Sequence, residues 1–315
     1  MKQTYTIHLA GPGIPDAHRL PGALVRDLFD ALDRGARGAV RLRLEGRSAA
    51  KGPQPGWLDR AARFDLLDLT SDAPGLRIAA PELRDALRDR FEQTDLFADH
   101  VAKATGISLF AEGLADAVRG RSDSEAYDEG LLRTYERLSK VFGRDVETIE
   151  LRNGRPDVPP LTVTPQGIQV VEQLHRRTPR PQRVRLAGKL DAIRYSDRAF
   201  TLVLRGGTGI RGVLTDADAG PGALAEHFGH PVLVSGTGFF KPSGALQAIE
   251  AERVERASDD DLRAWSQAPQ SLFVQREARE FRRPQGPRSG LNAIFGKWPG
   301  EESDEEIEHL LDELS

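Results

Sequence analysis

The sequence predicts an α+β protein. A mixed α/β region occupies residues 1–178, a small five-stranded β-barrel 182–257, a basic linker 258–290, and an extended tail 291–315 that ends in a short acidic amphipathic helix. Three observations lead there. In the first half, period-2 and period-3.6 apolar patterns succeed one another irregularly, without the strand–helix–strand repeat of a parallel sheet. In 182–257, five short alternating segments surround one helical segment. The last 15 residues carry eight acids and no Lys or Arg.

In the first region, Tyr5, Ile7 and Leu9 alternate with polar neighbours ahead of a Gly11-Pro12-Gly13 turn, which predicts an opening strand. Pro21 to Arg34 reads as a helix with Leu24, Val25, Leu28 and Leu32 on one face and Gly35 as its stop. Val40, Leu42 and Leu44 alternate with Arg41, Arg43 and Glu45 as a strand would, and weaker strands follow at 64–70 and 75–80. A helical pattern starts at Pro81 and runs to about Phe91. Ile107 to Val118 is helical, and Ser122 with Glu125 has the spacing of a capping box opening the next helix. That helix would bury Leu131, Tyr135, Leu138 and Phe142 before Gly143. A strand at 146–151 and a helix from Pro165 to Arg177 lead to Thr178-Pro179-Arg180-Pro181, the best domain boundary in the chain.

In the second region, Val184, Leu186, Leu190 and Ala192 form one face of a long strand, with Gly188 permitting the bend a small barrel needs. Phe200, Leu202 and Leu204 face inward from a second strand, and Gly206 to Gly209 turn the chain into a third at 210–214. A short helix at 221–228 carries Leu224 and Phe228 and stops at Gly229. Val232 to Phe240 and Ala245 to Glu255 are the last two strands. This is the element order of an OB-fold barrel.

Composition bounds the chemistry. Apolar residues are 39%, and 31 Gly among 315 residues bring the total near 49%, so a packed core is available. No stretch has the roughly 18 apolar residues of a membrane helix and the N-terminus lacks a signal-peptide core, so a soluble cytoplasmic chain is expected. With no Cys, thiol nucleophiles, thiolate zinc sites and iron–sulfur clusters are excluded. Gly207-x-Gly209-x-x-Gly212 matches a dinucleotide fingerprint as a string but lies in a hairpin turn rather than ahead of a helix. His227 and His230 are close, with no third ligand near them. No catalytic group, metal or cofactor is assigned, and an enzyme is not expected.

The net charge of −4 divides unevenly: removing the eight acids of 301–315 leaves residues 1–300 at −4 − (−8) = +4. Five Arg and two Glu lie within 276–288, so a basic stretch runs into an acidic end, a pattern of interaction tails. Within 182–257, ten basic residues face eight acids. Arg185, Lys189, Arg194 and Arg198 with Lys241, plus Tyr195 and Phe239 as stacking surfaces, are the candidate residues for one alternative function, single-stranded nucleic-acid binding restrained by the acidic tail.

In the tail, Ser303 and Glu306 form a capping box, and Ile307, Leu310, Leu311 and Leu314 make an i, i+3, i+4, i+7 stripe on an acidic helix. Ile294-Phe295-Gly296-Lys297-Trp298-Pro299-Gly300 precedes it. Aromatic anchors before an amphipathic helix suit a segment that folds in a partner's groove. The run Phe295 to Glu306, with its Leu-Leu-Asp-Glu-Leu-Ser end, resembles the C-terminal segment of small bacterial antitoxins paired with PIN-domain ribonuclease toxins. The resemblance covers about 25 of 315 residues. It implies a protein partner, with Phe295 and Trp298 as anchors beside Ile294, Lys297 as the cation facing the partner's active site, and the stripe as the docking face. The function the resemblance implies is antitoxin-like neutralisation of a partner, a PIN-type ribonuclease. The roughly 280 residues ahead of the tail depart from that family, where a short DNA-binding domain is usual.

Overall fold

The computed structural model describes residues 1–14, 19–49, 54–70, 74–88, 99–144, 146–155, 157–194, 198–215 and 221–271. Tyr195, the 272–290 part of the linker and all of 291–315, with Ile294, Phe295, Lys297, Trp298, Ile307, Leu310, Leu311 and Leu314, lie outside them. Met1–Gln275 forms one compact unit that contains two separate hydrophobic cores.

The first core is built on a five-stranded antiparallel sheet of order β2-β3-β1-β4-β5, from β1 (Lys2–Ala10), β2 (Asp65–Leu69), β3 (Gly75–Pro81), β4 (Thr148–Asn153) and β5 (Leu161–Val163). The central strand β1 alternates as its sequence dictates: Tyr5, Ile7 and Leu9 are buried, beside Ile78, Leu76, Leu151 and Ile149 on the neighbouring strands. The helices of this half are α1 (Gly22–Glu45), α2 (Gly56–Ala62), α3 (Leu83–Ala86), α4 (Asp99–Ala102), α5 (Gly106–Val118), α6 (Glu129–Tyr135), α7 (Ser139–Phe142) and α8 (Pro165–Arg177). Thr105 caps α5 by accepting from Ser108 N at 3.0 Å, and the same hydroxyl oxygen lies 2.7 Å from the buried Tyr5 hydroxyl, tying the helix start to the central strand.

Three expectations fail here for identifiable reasons. The helix read as ending at Gly35 runs on to Glu45 and takes in the strand expected at Val40–Leu44. Leu28, Ala31, Leu32, Gly35, Ala36, Ala39 and Val40 keep the 3.6-residue spacing and are all buried, and Arg41 reaches Glu45 one turn on at 2.7 Å. Gly35 is no stop but a point of close approach, because a Cβ there would lie 2.2 Å from the Phe110 ring of α5. The true stop is Gly46, in the left-handed conformation at φ 82°, whose N–H closes on Leu42 O at 2.9 Å. The helix expected to open at Ser122 also starts later. Asp128 is its cap, accepting from Leu131 N at 3.0 Å, and 121–128 is an irregular stretch. Leu131, Tyr135 and Leu138 are buried as their spacing requires, while Phe142 is only partly so. The helical pattern expected from Pro81 is confined to α3 and the next turn within the described residues; 89–98 lie outside them.

The second core fills a closed barrel of β6 (Gln182–Arg194), β7 (Ala199–Val203), β8 (Gly209–Leu214), β9 (Pro231–Phe240) and β10 (Leu246–Arg256), with a 3₁₀ segment, Pro221–His227, between β8 and β9. β6 pairs with β9 over 182–189 and with β7 over 189–194, β8 follows β7, and the ring closes through β9–β10 and a parallel β8–β10 pair. A register shift between Leu190 and Ala192 turns the end of β6, so Ala192, expected inside, is exposed and Ile193 packs towards the core instead. Phe228, expected to share a face with Leu224, is 56% exposed. The linker expected from 258 also begins as ordered structure. Ser258 and Asp261 form a capping box that opens α9 (Asp259–Trp265), with three Asp in the first turn where the helix dipole favours them.

Candidate functional site: the seam between barrel and sheet domain

The turn joining β9 to β10 projects onto the 121–128 stretch of the first domain. Ser243 N–H donates to Ser122 O at 3.0 Å, and its hydroxyl donates to Asp123 Oδ1 at 3.1 Å. Lys241 donates to Glu125 Oε1 at 2.5 Å and to Asp123 O at 3.3 Å. Its side chain is 8% exposed, so the ammonium is enclosed between the two halves. Further into the seam, buried Gln247 donates Nε2–H to Tyr127 O at 2.8 Å. The polar residues that imitate a helix start at 122–125 are thus the receptor for the barrel's turn.

A second set of contacts comes from the C-terminal end of α1. Arg211 on β8 donates to Leu42 O at 3.4 Å and packs over Gly46, where the missing side chain makes room: a Cβ there would stand 3.2 Å from that of Arg211. Arg47 pairs with Glu250 of β10 and places its guanidinium 4.8 Å from the centre of the Phe239 ring. The 121–128 stretch is braced from its own side. Asp116 receives Arg121 at 2.8 Å and the Ser124 hydroxyl at 2.7 Å, Tyr127 donates to Arg121 O, and Asp128 also accepts from Ser48 N at 2.7 Å. Burial pushes the Tyr127 hydroxyl's pKa up, so it stays a neutral donor.

The seam leaves a cleft lined by Arg47, Asp128, Arg133, Pro179, Phe239 and Gln247 among others. Its two arginines are paired: Arg47 with Glu250, and Arg133 with Glu129 at 2.8 Å. Behind Glu129, His175 of α8 lies 2.6 Å from Glu136 and 3.9 Å from Glu129. The carboxylates of Glu129 and Glu136 raise the pKa of His175, and the imidazole in turn holds Glu129 below the usual carboxylate range.

Of the residues proposed from sequence for nucleic-acid binding, two of the described ones are engaged within the protein. Lys241 is enclosed in the seam, and Phe239 is half-buried beneath Arg47 while Phe240 fills the barrel. Arg185 and Lys189 are exposed on β6, but Asp261 of α9 feels the charge of Arg185, and Asp191 stands 3.7 Å from Lys189. Arg198 is half-buried with φ 55°. Arg194 ends β6, and its side chain lies outside the described residues, as does Tyr195. Gln247, Ser243, Arg211 and Arg47 were missed. A signal existed for Gln247, a polar side chain within the otherwise apolar run Leu246–Ile249, and the structure buries every position of that run, as in a strand covered on both faces.

Among the described residues no group of three or more His, Asp or Glu side chains is placed to hold a metal ion, and no helix is long and apolar enough to cross a membrane. Comparisons with protein-family models, curated proteins and solved structures find no match for this chain.

Proposed function

We propose that this chain is an antitoxin-like, protein-binding regulator whose segment 291–315 docks on and neutralises a partner of the PIN-type ribonuclease kind, and that its barrel is of the OB type. The strand order, the parallel β8–β10 closure and the helical segment between β8 and β9 support the OB assignment. One observation carries the functional reading. OB barrels bind oligonucleotides with the face of their second and third strands and with the turns after the first and fourth. Here the turn after the fourth strand, and Arg211 on the third, are engaged by the first domain. The barrel works as a structural member, and the anchors and stripe of 291–315 remain as the part of the sequence built for a partner. Lys241 and Phe239, two of the seven candidate residues for nucleic-acid binding, have partners within the protein.

The test is retention of proteins from nuclease-treated native lysate by the full chain, by a chain ending at Ser289, and by the Trp298→Ala, Leu310→Ala double variant. A ribonuclease retained by the full chain alone, and inhibited by it, is the expected outcome. Equal retention by all three proteins overturns the proposal.

A further inference from the structure

The edge of the sheet carries a feature the functional reading does not use. Strand β2 is the outermost of its sheet, and Leu66, Leu67 and Leu69 on it are 49%, 49% and 43% exposed. Leu66 stands opposite Ile78 and Leu69 opposite Leu76, residues of β3 that are 0% and 1% exposed. The two leucines therefore lie on the core face of the sheet, and they are exposed because β2 is its outermost strand among the described residues. The register shift between Leu66 and Asp68 is one usual protection of an edge, and charge is another. The charge, however, is cancelled within the domain: Asp65 is held by Lys2 at 2.7 Å and by Arg63 at 3.2 Å, and Asp68 by Arg77 at 2.5 Å.

The geometry points to a second copy of this chain as the occupant of that edge. We propose an antiparallel β2–β2 pairing across a two-fold axis between Leu67 and Asp68. That register sets Leu66 of each copy opposite Leu69 of the other. It continues the buried row Ile78–Leu66 into Leu69–Leu76 of the second copy, twice by symmetry. The carboxylates that would repel across the axis are already neutralised in each copy. An edge of five residues buries less than the roughly 1,000 Å² of a tight interface, so the dimer is weak and concentration-dependent.

The absence of Cys makes the register directly testable. Full-length chains bearing Leu66→Cys or Leu69→Cys are oxidised mildly, each alone and mixed. The mixture forms the disulfide dimer, and each protein alone forms at most about a tenth as much, because only the 66–69 pair falls within disulfide reach. Equal yields in all three samples, or none in any, overturn the pairing. In sedimentation velocity, the Leu66→Lys, Leu69→Lys double variant weakens association at least about tenfold while melting cooperatively. A parent chain that stays monomeric up to about 200 µM, or an association that the variant leaves unchanged, overturns the proposal.

Discussion

The ammonium of Lys241 lies 2.5 Å from the carboxylate of Glu125, 116 residues earlier in the chain, and the lysine side chain is 8% exposed where that of Glu125 is 70% exposed. The two partners are thus unequal. Glu125 can exchange the lysine for water, whereas Lys241 has Glu125 and Asp123 to satisfy it among the described residues.

Removing Glu125 should therefore cost less than reversing Lys241. Glu125→Gln is expected to lower stability by about 1 kcal/mol, as solvent and Asp123 take up the ammonium, and Lys241→Glu by about 3 kcal/mol, since it sets a carboxylate against two others in an enclosed site. Urea unfolding of the full chain measures both, and equal losses would show the seam to be open to water.

At Gly35 the expected penalty is one of overpacking. Gly35→Ala places a methyl 2.2 Å from the Phe110 ring and should cost about 1–3 kcal/mol despite alanine's better helix propensity. Phe110→Leu in the same chain should recover part of that loss, visible as non-additivity in thermal unfolding.

Gly46 tests the same seam from the other side. Gly46→Ala must hold φ near 82° with a Cβ 3.2 Å from that of Arg211, for an expected cost of about 1–2 kcal/mol. An Arg211→Ala background removes the steric part and leaves only the conformational one, so a smaller loss there is the expected result.

The His175 cluster gives stability a pH dependence of known sign. The raised pKa of His175 means that its contribution is complete below the usual value of 6.5 and disappears as pH rises through the raised value. The lowered pKa of Glu129 makes its contribution complete above the usual 4.5 and lost as pH falls. Both act together between pH 4.5 and 6.5. The stability difference between the parent and His175→Gln should peak in that window and shrink above it, as measured by urea midpoints across pH.

The barrel was legible where a strand alternates and a turn carries glycine: Phe200, Leu202 and Leu204 point inward as expected, and Gly206 and Gly207 adopt the positive φ of a turn. The pattern failed where one segment answers to two surfaces. Val40, Leu42 and Leu44 imitate a strand because α1 packs on α5 and α6 and also leads into the seam, which widens its apolar stripe beyond one face. The seam itself was illegible, because Ser122, Asp123 and Glu125 have the composition of a helix cap and only the distant turn 241–244 gives them another use.

The seam also has an order in time. Among the described residues, the core of the first domain draws on none beyond Leu174. Synthesis proceeds from the N-terminus, so that domain can close while the barrel strands are still being made. The 121–128 stretch then stands ready before Lys241 is synthesised, and the last hairpin of the barrel arrives at a surface already in place. A lesion in the first domain, such as loss of the Asp116 or Asp128 braces, should therefore appear as misassembly of a barrel whose own sequence is intact.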